Sequence, residues 1–95
     1  MSSPTISLPA NDLSPIIARL KRASGQLQGV LRMLDEHRSC EDVLTQLNAV
    51  EKALSAASLT LLSTRLTECL SDPDLSEQER SDLTDRLQKL FLTLA

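Results

Sequence analysis

Hydrophobic residues along this chain recur at helical spacing, and no segment shows the strict alternation of a half-buried strand. The first periodic run follows Ser14-Pro15 and contains Ile16, Ile17, Leu20, Leu27, Val30, Leu31 and Leu34. At about 100° per residue these positions share one arc, which predicts an amphipathic helix from Ser14 to about His37. Serine as the cap and proline at the first helical position suit its start. Ser39 opens a second run, with Cys40, Glu41 and Asp42 in a first turn whose positive end favours acids. Val43, Leu44, Leu47, Val50, Leu54, Ala57, Leu61, Leu62, Leu66 and Leu70 carry it on without Gly or Pro until Pro73 stops it. Ser76-Glu77-Gln78-Glu79 reads as a capping box before a third helix, with Leu83, Leu87, Leu90 and Leu94 on one side. Short connections between helices imply antiparallel neighbours. The expected fold class is all-α, a three-helix protomer. Residues 1–12, with Pro4 and Pro9 and no period, are expected to form a flexible N-terminal tail, and residues 13–95 a single all-helical domain.

Composition adds a reason to expect association. The 95 residues include one aromatic, Phe91, so the core must be aliphatic. A chain this short buries little surface by itself, and many small bundles reach stability by pairing protomers. The net charge of −3 conceals an asymmetry. Up to residue 38 the bases Arg19, Lys21, Arg22, Arg32 and Arg38 face only Asp12, Asp35 and Glu36. An acidic chain still binds nucleic acid when its bases gather on one face. No basic segment leads into an apolar run, and no stretch approaches the roughly 18 apolar residues of a membrane span. A cytoplasmic protein with no membrane partner is expected. Its two cysteines then read as reactive or metal-binding thiols and not as staples. No phosphate loop, Ser/His/Asp set or carboxylate pair in a recognisable pocket points to an enzyme.

The polar side of the first helix has two rows. Arg19, Arg22 and Gln26 line one edge, Lys21, Gln28 and Arg32 the other, with Gly25 and Gly29 between them. Glycine inside a helix costs about 1 kcal/mol relative to alanine, so two of them ask for a reason. One is close approach of another backbone, a phosphate backbone included, flanked by guanidinium and amide donors. The other is an ordinary solvated face whose glycines ease helix packing.

Cys40 and Cys69 sit near opposite ends of the second helix, roughly 43 Å apart at a helical rise of ~1.5 Å per residue. A disulfide needs Cα atoms about 4.4–6.8 Å apart, so these thiols do not meet within one straight helix. Two copies packed antiparallel would bring Cys40 of one beside Cys69 of the other, at two equivalent sites. The helix start, with Arg38 close in sequence, would favour the Cys40 thiolate, and Arg65, one turn before Cys69, would extend an electropositive setting to the shared site. Alternatively, each cysteine is simply a small buried apolar residue. Zinc is not expected: a closed site wants four N or S ligands, and His37 is the lone histidine, placed to close a helix end.

The run Arg19-Leu20-Lys21-Arg22-Ala23-Ser24-Gly25-Gln26-Leu27-Gln28-Gly29 resembles the first-helix pattern R-L-x-R-x-x-G-Q-x-x-G of the CsoR/RcnR/FrmR family of bacterial repressors. The likeness continues through Ser39–Val50 and Leu66-Thr67-Glu68-Cys69, covering about residues 13–71 and, more weakly, the third helix. The resemblance implies an antiparallel four-helix-bundle dimer, assembled into a homotetramer as a dimer of dimers. It implies repression by operator binding until a ligand lowers DNA affinity. Arg19, Lys21, Arg22, Gln26, Arg32 and Lys52 would then form the DNA surface, through phosphate contacts and groove shape as much as base edges.

Copper-sensing members of that family hold Cu(I) with Cys, His and Cys, the last two spaced H-x-x-x-C. Cys40 and Cys69 match the cysteines, but Arg65 stands at the histidine position, and a guanidinium does not ligate metal at physiological pH. Two cysteines without the histidine resemble the CstR-type branch, which responds to persulfides and polysulfides. The resemblance implies that one thiol is persulfidated and the other, from a second protomer, resolves it into a di-, tri- or tetrasulfide. The expectation is therefore a persulfide-sensing repressor without a cofactor. The alternatives are a Cu(I) sensor using the two thiolates and, lower, a helical interaction module with no DNA role.

Overall fold

The computed structural model describes residues 5–94. They form α1 (Ser14–Asp35), α2 (Cys40–Ser71) and α3 (Glu77–Thr93), with no strand among the described residues. The all-helical class read from the hydrophobic spacing is the class observed. Pro4, with the rest of the expected tail before Thr5, and Ala95 lie outside the described residues. Two compact units divide the chain within α2: Leu13–Ser58 is one, and residues 5–12 with 59–94 are the other.

In the unit Leu13–Ser58, α1 buries Ile16, Ala23 and Val30, and α2 buries Val43, Val50 and Ala57. Each set is spaced by seven, the repeat that keeps one narrow seam of a helix turned to a partner. Val30, Val43 and Val50 form the core cluster, with Met33 and Leu47 packed against it. The arc read from sequence as one buried face is split. Ile17, Leu20, Leu27, Leu31 and Leu34 remain between 44% and 54% exposed. A single partner helix covers a seam and not the whole arc, so a second apolar stripe stays open beside it. Leu44 and Leu54 of α2 are likewise exposed. A helix apolar on several sides needs more than one neighbour.

The start of α1 differs from expectation. Leu13 is the cap residue, with no side-chain cap bond, and Pro15 falls within the first turn behind Ser14. The Leu13 carbonyl accepts from the Ile17 N–H at 3.0 Å, so the helix is already under way at Ser14. Its end also comes sooner, at Asp35. The His37 N–H donates to Leu34 O at 3.2 Å and the Arg38 N–H to Met33 O at 3.0 Å. This paired closure places His37 in the left-handed region, at φ 52°. A side chain pays roughly 1–2 kcal/mol for that conformation and glycine does not. His37→Gly is expected to raise stability by about 0.5–1 kcal/mol, read from chemical denaturation midpoints. Ser39 then caps α2, its Oγ accepting from the Asp42 N–H at 3.1 Å.

In the other unit the capping box is formed as expected. Ser76 Oγ accepts from the Glu79 N–H, and Glu79 Oε1 accepts from the Ser76 N–H, both at 3.1 Å. The bond from the Ser76 backbone holds the Glu79 carboxyl below its ordinary pKa. Arg80 closes the turn between α2 and α3: its guanidinium donates to the carbonyls of Cys69 (3.3 Å), Asp72 (2.7 Å) and Leu75 (3.4 Å). A cation there satisfies carbonyls that the end of a helix leaves without partners. Of the expected α3 face, Leu87 is buried and Leu83 half-buried, whereas Leu90 and Leu94 are exposed because nothing in the unit covers the last turns.

Candidate nucleic-acid interface and sensing thiols

On α1, Arg19, Lys21, Arg22 and Arg32 are all exposed, as is Lys52 on α2. Gln26 is half-buried, and its Oε1 is buried without a hydrogen-bond partner. A Cβ placed on Gly25 would meet nothing within 4 Å. At Gly29 it would meet Arg32 Nη2 at 3.7 Å and Gln46 Nε2 at 3.8 Å, ordinary contacts. Packing inside the chain therefore requires neither glycine, which leaves close approach by a second copy or by a phosphate backbone. Gly25→Ala separates what remains. It is expected to stabilise the protein by about 1 kcal/mol through helix propensity, while a DNA backbone lying over that position would make it bind operator severalfold more weakly. Thermal melting and fluorescence anisotropy read the two effects independently.

The thiols occupy opposite environments. Cys40 is the first residue of α2 and is exposed, whereas Cys69, in the last turn, is completely buried. The Cys69 thiol donates a weak bond to Arg80 O at 3.9 Å. Both cysteines are free. The two arginines expected to tune them are engaged elsewhere. Arg38 pairs with Asp42 at 3.3 Å and with Glu36 at 3.9 Å. Arg65 donates from Nε to Ser7 O at 3.2 Å. Arg65 also borders an open cavity of about 480 Å³, where Arg86 and Lys89 face Glu79, Asp82 and Asp85, a balance that favours neither anion nor cation. Among the described residues no group of three or more His, Cys, Asp or Glu is placed to hold a metal ion within one chain.

Residues 12–93 match the family described as metal-sensitive transcriptional repressor. The chain belongs to this family. It is 45% identical over 53 residues to the copper-sensing transcriptional repressor RicR of Mycobacterium tuberculosis, a match covering 56% of this chain and 55% of RicR. Over 77 residues it is 38% identical to the copper-sensing transcriptional repressor CsoR of Bacillus subtilis, covering 78% of this chain and 76% of that one. The CsoR of Mycobacterium ulcerans is 34% identical over 77 residues, covering 81% and 66%. The chain thus spans about half of RicR, about three quarters of the Bacillus CsoR and just under two thirds of the mycobacterial CsoR proteins. The family is one of transcriptional repressors and not of enzymes. These relatives are named for copper, so they support the CsoR family assignment but not the narrower persulfide branch expected from Arg65.

Two residues that matter locally were missed by sequence reasoning. Arg80 follows a capping box that announces only its own helix, and the carbonyls it gathers come together only through the turn. By sequence, Glu68 is only part of the motif around Cys69. Its carboxylate accepts from the backbone N–H groups of Ala10, at 2.9 Å to Oε2, and Asn11, at 3.1 Å. Among the described residues no helix is long and apolar enough to cross a membrane.

Proposed function

We propose that this repressor binds operator DNA as a homo-oligomer through the exposed basic rows of α1, with Lys52 adding to that surface. An effector acting jointly on Cys40 of one copy and Cys69 of another releases it. The observation that carries this reading is the placement of two free thiols at opposite ends of one helix. Only a second copy brings such ends together, and the open apolar stripes of α1 and α2 supply the surface for one.

The names of the relatives support Cu(I) as the effector. A soft monovalent cation suits two thiolates, and these are the soft donors this chain offers. Cys40 and the second copy's thiol would hold it in linear coordination without an imidazole. A second reading is favoured by Arg65, the fixed cation where copper-sensing members carry histidine. There the effector is a persulfide. The exposed Cys40 thiolate attacks the outer sulfur of the donor, becomes Cys40 persulfide and releases the donor as a thiol. The Cys69 thiolate of the second copy attacks the Cys40 sulfur, forming an interprotomer disulfide and expelling hydrosulfide. The donor is reduced and the two thiols are oxidised.

One titration tests both. Operator affinity is followed by anisotropy while the reduced protein receives either Cu(I) or sodium tetrasulfide, with mass spectrometry of each product. The copper reading expects at least tenfold weaker binding, about 1.4 kcal/mol, with no covalent dimer. The sulfur reading expects the same loss with Cys40–Cys69 peptides joined through sulfur. Undiminished affinity after both treatments overturns the effector site, and absence of salt-dependent operator binding overturns the repressor reading.

A further inference from the structure

We infer that residues 7–11 form a strap, gripped by Arg65 and Glu68, that opens when Cys69 is modified. Its regulatory meaning rests on the repressor reading above, whereas the strap and its link to Cys69 do not. Residues 5–12 have no regular secondary structure, so their backbone groups must find partners outside a helix or ladder. Three of them find ionised side chains on α2. The Arg65 guanidinium takes the Ser7 carbonyl, and the Glu68 carboxylate takes the Ala10 and Asn11 N–H groups. Arg65 and Glu68 are one turn apart on the same helix, a spacing that matches two cationic and anionic jaws to a few residues of extended chain. Bonds to charged groups are the stronger kind. Pro9, between the gripped residues, is buried and has no N–H to leave unsatisfied.

Cys69 adjoins Glu68 and has no room to spare. Its side chain is completely buried, and close-packed interiors do not absorb an added heavy atom without displacement. Any group joined to that sulfur must push apart the last turn of α2 and the start of α3 that the thiol faces through Arg80 O, and the Glu68 jaw is on that turn of α2. At its other end the strap runs through Asp12 and Leu13 directly into α1. That helix begins without a side-chain cap bond at Leu13. Arg19 and Arg22 follow within the first three turns.

The test uses the full chain with Cys40→Ser, so that only Cys69 is modified. Methyl methanethiosulfonate serves as an effector-independent probe: the thiolate attacks its divalent sulfur, methanesulfinate leaves, and Cys69 carries an added S-methylthio group. Amide hydrogen exchange at Ala10 and Asn11 is expected to be at least tenfold slower than in unstructured chain before treatment, and at least tenfold faster after it. Glu68→Ala should release both amides without the reagent, and Glu68→Gln, which keeps an acceptor oxygen but no charge, should give intermediate protection. Unprotected amides in the untreated protein overturn the strap. Unchanged protection after complete modification overturns its link to Cys69, as does a thiol that reacts only when the protein is unfolded. Operator affinity is measured in parallel. Its absence in the untreated protein counts against the repressor reading alone and leaves the exchange result standing.

Discussion

Replacing Arg19 and Arg22 together by alanine is expected to weaken operator binding by ten- to a hundredfold and to flatten its dependence on salt. Both side chains are exposed on one edge of α1, so their loss disturbs no packing and helix content should hold. Each phosphate contact removed should lower the slope of log affinity against log salt by about 0.9, counted over every copy that touches DNA. A matched Lys52→Ala variant should produce a smaller uniform loss. Anisotropy at several salt concentrations, with circular dichroism as the folding control, reads the result. An unchanged slope would place the DNA surface elsewhere on the molecule.

Cys40→Ser is expected to retain operator affinity within about threefold and to lose the effector response entirely. The side chain is exposed at the first position of α2, where serine is well tolerated, so folding is not at stake. Wild-type protein should lose at least tenfold in affinity, about 1.4 kcal/mol, when the effector is added, whereas the variant should stay bound. The comparison is cleaner than one at Cys69, whose complete burial makes any substitution a packing change as well. Release of the variant at the wild-type effector concentration would remove Cys40 from the site.

The helices were legible because their signals are local. Ser76 and Glu79 form the capping box their spacing announces, and Pro73 lies just beyond the end of α2. The start of α1 was less so, since Leu13 caps it by backbone alone and serine before proline is only a statistical sign. The division of the α1 arc was invisible for a different reason. Ile16 and Ile17 are equally apolar, and which of them is buried depends on where a partner helix lies, not on periodicity. The same limit applied to the thiols. Their separation along α2 follows from helix geometry, but the burial of Cys69 depends on tertiary packing, and Arg65 turns to Ser7, fifty-eight positions away. Charge and spacing reveal what a side chain can do, and only the packed chain reveals what it already holds.

The unequal access of the two sulfurs has a kinetic consequence. A site with one half always open and the other shut reacts at a rate set by how often the shut half opens, however abundant the signal outside. Such a repressor would finish its response at the pace of that opening, which makes the closed end of α2 a timer for whatever the open end has already captured.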